Sequence, residues 1–203
     1  MSPRPYRLGR REASVADTRE RILSAARDVL GENGFASFTV DAVANRAGVA
    51  RMTVYYQFQS KGALLDALLD ALAAAGLVER LQSNGIADPS AALTEFIAAF
   101  VGFWASDRIL IRRLRCLAGL DPDVEAIVAA RDSKRRAALR PLVARLMADR
   151  RRPAAIDEAT DVLQTLTSFE TFDALAGRSR SPEDVAAILI RVAHATFTTE
   201  AQS

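Results

Sequence analysis

Arg51, Thr53, Tyr55 and Tyr56 fall within six consecutive positions, and Lys61 follows closely. These residues contain no nucleophile with a base and no set of metal ligands. Their chemistry suits a polyanion. Phenolic and aliphatic hydroxyls donate to phosphate oxygens, Arg carries a permanent charge, and a Thr methyl group meets base edges. Lys61 opens a helix, where the helix dipole does not favour a cation, so an anion is expected beside it.

The elements that must hold these groups can be read from their neighbours. Thr39 is the expected N-cap of a helix with Val40, Val43, Ala44 and Ala47 on one face and Asp41 at its positive end. Gly48 ends that helix in a left-handed turn, and Val49 plugs the junction behind it. A second short helix, Arg51 to Phe58, turns Val54 and Phe58 inward and spreads Met52, Thr53, Tyr55 and Tyr56 over the other side. Ser60 then caps a third helix. This is the layout of a helix-turn-helix that reads DNA.

The chain resembles the TetR/AcrR family of bacterial transcriptional regulators. The resemblance lies in the helix Thr18 to Leu30 followed by Asn33-Gly34-Phe35, then Phe38-Thr39-Val40, Ala44 to Val49, Thr53-Val54-Tyr55-Tyr56, Phe58, Ser60-Lys61 and Ala63-Leu64-Leu65. It covers about the first third of the chain. Position by position, it implies that Arg51, Met52 and Thr53 reach base edges, and that Thr39, Tyr55, Tyr56 and Lys61 hold phosphates. It also implies a palindromic operator in double-stranded DNA, a homodimer, a small-molecule effector pocket in the C-terminal body, and repression as the default mode. Two positions depart from the family pattern. Ala50 replaces a common Ser ahead of the reading helix and is a poor cap, and Met52 adds apolar bulk that suits a thymine methyl.

Composition excludes several other classes. The 203 residues are 50% hydrophobic and 26% charged, ordinary for a globular protein with a real core. One Cys rules out an internal disulfide framework and fits a reducing cytoplasm, where the protein is expected at the nucleoid. His194 is the only His, no phosphate-binding or nucleophile-elbow motif occurs, and neither enzyme activity, cofactor nor metal is expected. The longest uncharged apolar run, Phe96 to Ser106, is too short to span a bilayer, and no export signal precedes the first helix. Charge is asymmetric: residues 1–61 carry ten Arg and Lys against six Asp and Glu, while the remainder is net acidic. Arg4, Arg7, Arg10 and Arg11 lie among Pro3, Pro5 and Gly9 in a segment expected to be an unfolded arm. Such an arm either lies along phosphates or is a solvated tail.

The expected fold is all-α, with about nine helices near 17–33, 39–47, 51–57, 60–82, 89–105, 107–118, 122–149, 154–177 and 182–200. Asp17 with Glu20 looks like a capping box. Asp88-Pro89, Asp121-Pro122 and Ser181-Pro182 each set a capping side chain before a Pro at the first helical position. The expected domains are a basic flexible arm (1–14), a three-helix DNA-binding domain (15–61) and a larger C-terminal effector-binding and dimerisation domain (62–203). The helix after Ser60 is the expected lever between the last two.

Within the body, Phe96, Phe100, Phe103, Trp104 and Leu117 either fill a core or line the effector cavity. No acid or base cluster is apparent, so an apolar or aromatic effector is expected. Cys116, with Arg112, Arg113 and Arg115 within one turn, is either a redox sensor or a small buried apolar residue facing Leu117 and Leu120. Phe169, Phe172, Leu189, Val192 and Phe197 supply apolar surface for the core and for a partner subunit, two helix pairs forming a four-helix bundle across a dyad. The alternative to a ligand-released regulator is a DNA-binding architectural or cell-cycle factor without a small-molecule ligand, for which a solid body would be expected.

Overall fold

The computed structural model describes residues 6–33, 38–74, 86–147 and 153–199. Among the described residues there are ten helices and no strand. They are α1 (Tyr6–Asn33), α2 (Val40–Ala47), α3 (Arg51–Phe58), α4 (Lys61–Ala74) and α5 (Pro89–Ser106). There follow α6 (Arg108–Ala118), α7 (Pro122–Leu146), α8 (Pro153–Leu166), α9 (Phe169–Ala176) and α10 (Pro182–Thr199).

The Pro-marked starts lie where the capping chemistry puts them. Asp88 accepts from the backbone N–H groups of Ser90 and Ala91, and Asp121 from those of Asp123 and Val124. Ser181 accepts from Asp184. Two expectations need correction. The first helix begins at Tyr6, not Asp17, so the stretch expected as an unfolded arm is helical in its backbone from Tyr6 onward. The Thr18 hydroxyl donates to the Ser14 carbonyl at 2.8 Å, a bond made inside a helix, so Asp17 and Glu20 are interior positions and not a cap. Arg4 lies outside the described residues, as do 75–82 of the expected lever helix and 148–149 of α7.

The second correction concerns 154–177, expected as one helix. It is two, broken at Thr167 and Ser168. Ser168 adopts an extended backbone and its hydroxyl accepts from the Thr171 N–H, which would otherwise bond the Thr167 carbonyl in a continuous helix. That freed carbonyl accepts instead from the indole N–H of Trp104, at 3.0 Å.

Two hydrophobic clusters result. One joins the inward faces of α1 to α4, including Phe38, Val54, Phe58, Leu64, Leu65 and Leu68, with Leu110, Leu114 and Leu117 of α6. The other joins α5, α7, α9 and α10 with Leu163 of α8 and Ile111 of α6. Ion pairs reinforce the seam. Arg27 meets Asp107 at 2.6 Å, and Arg131 on α7 meets Asp66 at 2.6 Å and Asp70 at 2.8 Å on α4. Arg113 caps the last turn of α1 by donating to the carbonyls of Leu30 and Gly31.

If the Ser168 cap sets the break, Ser168→Ala should lower the unfolding free energy by about 1 kcal/mol in urea titrations. It should also alter the fluorescence of Trp104, because the carbonyl that holds the indole is no longer kept free. A variant unchanged in both would show that packing alone sets the break.

Candidate nucleic-acid interface and effector cavity

The DNA-reading layout is assembled by local bonds. Thr39 Oγ1 accepts from the Ala42 N–H at 3.1 Å, Val40, Val43 and Ala44 are buried, and Gly48 turns the chain at φ 65°. Val49 packs against the core behind the turn. Ala50 makes no side-chain cap bond to α3. Val54 and Phe58 are 2% and 4% exposed and anchor the eight-residue α3, whereas Met52 and Tyr56 are 57% and 83% exposed. Thr53 and Tyr55 are half-buried. Such large exposed side chains on a basic end suit a groove whose floor offers methyl groups and whose rims offer phosphates.

Several partners here were not foreseen from sequence. Arg51 pairs with Asp41 at 2.9 Å and donates to the Tyr55 hydroxyl at 3.4 Å. The Tyr55 hydroxyl, then the charge of Asp41, hold the Arg51 guanidinium above its ordinary pKa. The anion expected beside Lys61 is supplied within the chain, by Asp121 at 3.5 Å. Arg19 lies 4.4 Å over the Phe58 ring and donates to the Gln57 carbonyl, fixing the end of α3 to α1. A Phe at the end of an amphipathic helix carries no sequence signal for the Arg that stacks on it. Gln59, next to it, takes φ 66°, a left-handed value unusual for a residue with a side chain.

In the body, a cavity of about 200 Å³ lies among α4, α5, α6 and α7. Phe100, Phe103 and Trp104 line it, as expected positions i, i+3 and i+4 of one face. Phe96 and Leu117 do not. Phe96 packs on Phe100 one turn earlier, with ring centroids 4.8 Å apart, and Leu117 continues the Leu110 and Leu114 stripe into the core under α1 and α4. The wall is completed by Leu69 and Ala73 of α4, Ile111, Leu114 and Arg115 of α6, and Val128, Arg131, Asp132, Lys134, Arg135 and Ala138 of α7.

The expectation of a cavity without charge clusters is therefore corrected. The run Arg131 to Arg136 reads as a solvated face, yet Val128, Arg131, Asp132, Arg135 and Ala138 recur at helical spacing and line the cavity together. Arg135 has a side chain only 5% exposed; its Nη1 meets Asp132 at 2.9 Å and its guanidinium lies 5.8 Å from the Phe100 ring and 5.7 Å from the Trp104 ring. Its Nε is buried and has no hydrogen-bond partner. Burial pushes the Arg135 guanidinium below its ordinary pKa, against the pull of Asp132. Arg115 shares that same Asp132 through two bonds, 2.8 and 2.9 Å, and approaches Glu170 at 3.4 Å.

The remaining candidates are placed differently from expectation. Cys116 is exposed and not buried, and Leu120 beside it is 80% exposed. Its three neighbouring arginines bond elsewhere: Arg112 to Asp173, Arg113 to the end of α1, and Arg115 to Asp132. His194 lies between the hydroxyls of Ser90 and Thr94. Among the described residues no cluster of three metal-ligating side chains occurs and no helix is long and apolar enough to cross a membrane. Phe169, Phe172 and Leu189, expected to serve a partner subunit as well as the core, are each 3% exposed or less and belong to the core alone, Phe169 edge-on to Trp104. Val192 is 42% exposed, and the Phe197 side chain lies outside the described residues.

Residues 22–68 match the model of the bacterial regulatory proteins, tetR family. Over 58 residues, 29% of this chain and 30% of the relative, the chain is 38% identical to the HTH-type transcriptional regulator UidR of Escherichia coli K12. Over 103 residues it is 37% identical to the HTH-type transcriptional regulator EthR of Mycolicibacterium smegmatis, covering 48% of this chain and 47% of that one. The likeness thus spans a third to a half of these curated relatives. The fold extends further. A TetR-family transcriptional regulator from Rhodococcus sp. superposes with TM-score 0.73 at 18% identity, covering 90% of this chain and all of the other.

Asp41 holds the very guanidinium that faces outward from α3. Asp41→Asn is expected to raise affinity for arbitrary duplexes about three- to tenfold at low salt, because it removes a negative charge and releases Arg51. Fluorescence anisotropy across a salt series would measure it. Weaker binding would mean instead that Asp41 presents Arg51 to the groove.

Proposed function

We propose that the chain, whose residues 22–68 match the TetR-family model, is a one-component transcriptional repressor released from its operator by a small molecule. The observation that carries this reading is the sharing of α4. That helix contributes Leu69 and Ala73 to the cavity, and Leu64, Leu65 and Leu68 to the core beneath α1 to α3. Arg131, on the cavity wall, grips α4 at Asp66 and Asp70. An effector that shifts α7 or Arg131 shifts α4, and with it the position of α3. A solid body would have favoured the architectural alternative; a cavity of about 200 Å³ favours the effector.

In this reading the protein acts at the nucleoid, in the cytoplasm, as a homodimer on a palindromic operator. Arg51, Met52 and Thr53 reach base edges. Thr39, Tyr55, Tyr56 and Lys61 hold phosphates, with Lys61 turning from Asp121. The dimer face narrows to the surface of α8 and α10 that carries Val162 and Val192, 40% and 42% exposed. Pairing two such surfaces makes a four-helix bundle about a dyad.

Selection of bound fragments from genomic DNA, followed by binding assays on the recovered site, tests the reading. Thr53→Ala should change base preference and Tyr56→Ala should weaken binding to all sequences, each by about 1–3 kcal/mol. Swapped effects would overturn the assigned roles. Val192→Glu should shift the dimer toward monomer in sedimentation velocity and weaken binding to a full palindrome more than to a half-site. A dimer untouched by Val192→Glu would place the interface elsewhere.

A further inference from the structure

Two guanidinium groups at the cavity wall share one half-buried carboxylate. Asp132 meets Arg115 at 2.8 Å and Arg135 at 2.9 Å, while the other acid near Arg115, Glu170, is 61% exposed and 3.4 Å away. Arg131 is engaged by Asp66 and Asp70, so neither of those carboxylates is available to Arg135. Lys134 adds a further positive charge to the lining. Arg135 is thus a cation nine-tenths buried, beside an apolar space, with an N–H that no group in the protein accepts. An unpaired buried donor is costly, and a buried charge more so; an anion that supplies the acceptor offsets part of both costs.

The rest of the wall is aromatic and aliphatic: Phe100, Phe103, Trp104, Leu69 and Leu114. We infer that the effector is a small organic acid, its carboxylate received by Arg135 and its apolar body, about one aromatic ring in size, lying against Phe103 and Trp104. The size follows from the volume. A cavity of about 150 Å³ holds a benzene ring, so the 200 Å³ here leaves room for a short acid chain and little more. This rests on the cavity being the effector site, and it narrows that reading from an apolar ligand to an acidic one.

Trp104 is the only tryptophan and lines the cavity, so its fluorescence reports occupancy directly. The probes are 3-phenylpropionate, its amide, which differs in lacking the charge, and toluene, which lacks the head group altogether. The full chain should bind the acid at least about tenfold more tightly than the amide, as expected of a charge-assisted bond. Arg135→Met should abolish that preference while still binding the amide. It leaves no orphan acid, since Asp132 keeps Arg115, and Arg135→Lys, which keeps the charge, should retain part of the preference. Amide bound as tightly as acid by the unaltered chain, or a preference that survives Arg135→Met, overturns the inference. Toluene bound without the acid removes the anion but leaves the cavity a ligand site; no response to any of the three removes both.

Discussion

Two hydrophobic cores meet on one eleven-residue helix, α6, and the rest of the molecule is arranged around that constraint. Leu110, Leu114 and Leu117 close the core of the DNA-reading half, while Ile111 enters the core of the body. Each leucine so buried is worth roughly 1.5–3 kcal/mol. The DNA-reading half therefore completes its core only with α6 in place. The polar positions of the same helix tie down three other elements: Arg108 and Arg112 hold Asp173 of α9, Arg113 holds the end of α1, and Arg115 holds Asp132 of α7. A strongly amphipathic helix whose four arginines flank its buried stripe can serve two cores because their charged heads reach past both.

A second dependence runs through Trp104. Its ring forms part of the cavity wall, and its N–H needs an acceptor once buried. The acceptor exists only because the helix expected over 154–177 stops at Thr167, leaving a carbonyl that a continuous helix would have used. The same break turns Phe169 and Phe172 into the core, Phe169 edge-on to Trp104. A single hydroxyl, on Ser168, thereby helps decide the shape of a cavity lined from other helices.

Sequence made legible whatever rests on short-range chemistry. Gly48, Thr39, Ser60 and the three Pro-marked starts each carry a backbone reason that neighbours state openly, and the inward pair Val54 and Phe58 follows from helical phase. What sequence hid depends on choices that local patterns leave open. Ser168 is as acceptable inside a helix as at its start, and no Gly or Pro marks the break. Phe169, Phe172 and Leu189 are apolar on a helix whether they face a core or a partner, and only packing decides for the core. Arg131 to Arg136 looks like a solvated run because four cations flank two other polar residues; that Arg135 faces inward depends on α7 lying across α5. The helical start at Tyr6 was hidden because Arg11, Glu12 and Ala13 favour helix as readily as Pro3, Pro5 and Gly9 oppose it.

The magnitudes also say where a conformational change can occur. The α4 helix is joined to the DNA-reading core by Leu64, Leu65 and Leu68, nearly inaccessible to water, so parting them would expose several kcal/mol of apolar surface. Its hold on α7 includes Arg131 with Asp66 and Asp70, whose side chains are 49% and 70% exposed, and exposed pairs contribute about 0–1 kcal/mol each. The ion-pair latch is thus several-fold weaker than the weld, while Val124, Ile127 and Val128 of α7 add apolar contact to the same core. A ligand with a few kcal/mol of differential affinity can open the latch but not the weld. Displacement begun at the cavity should then carry α4, the α1 to α3 unit and the leucine face of α6 together, rather than deform the DNA-reading unit itself.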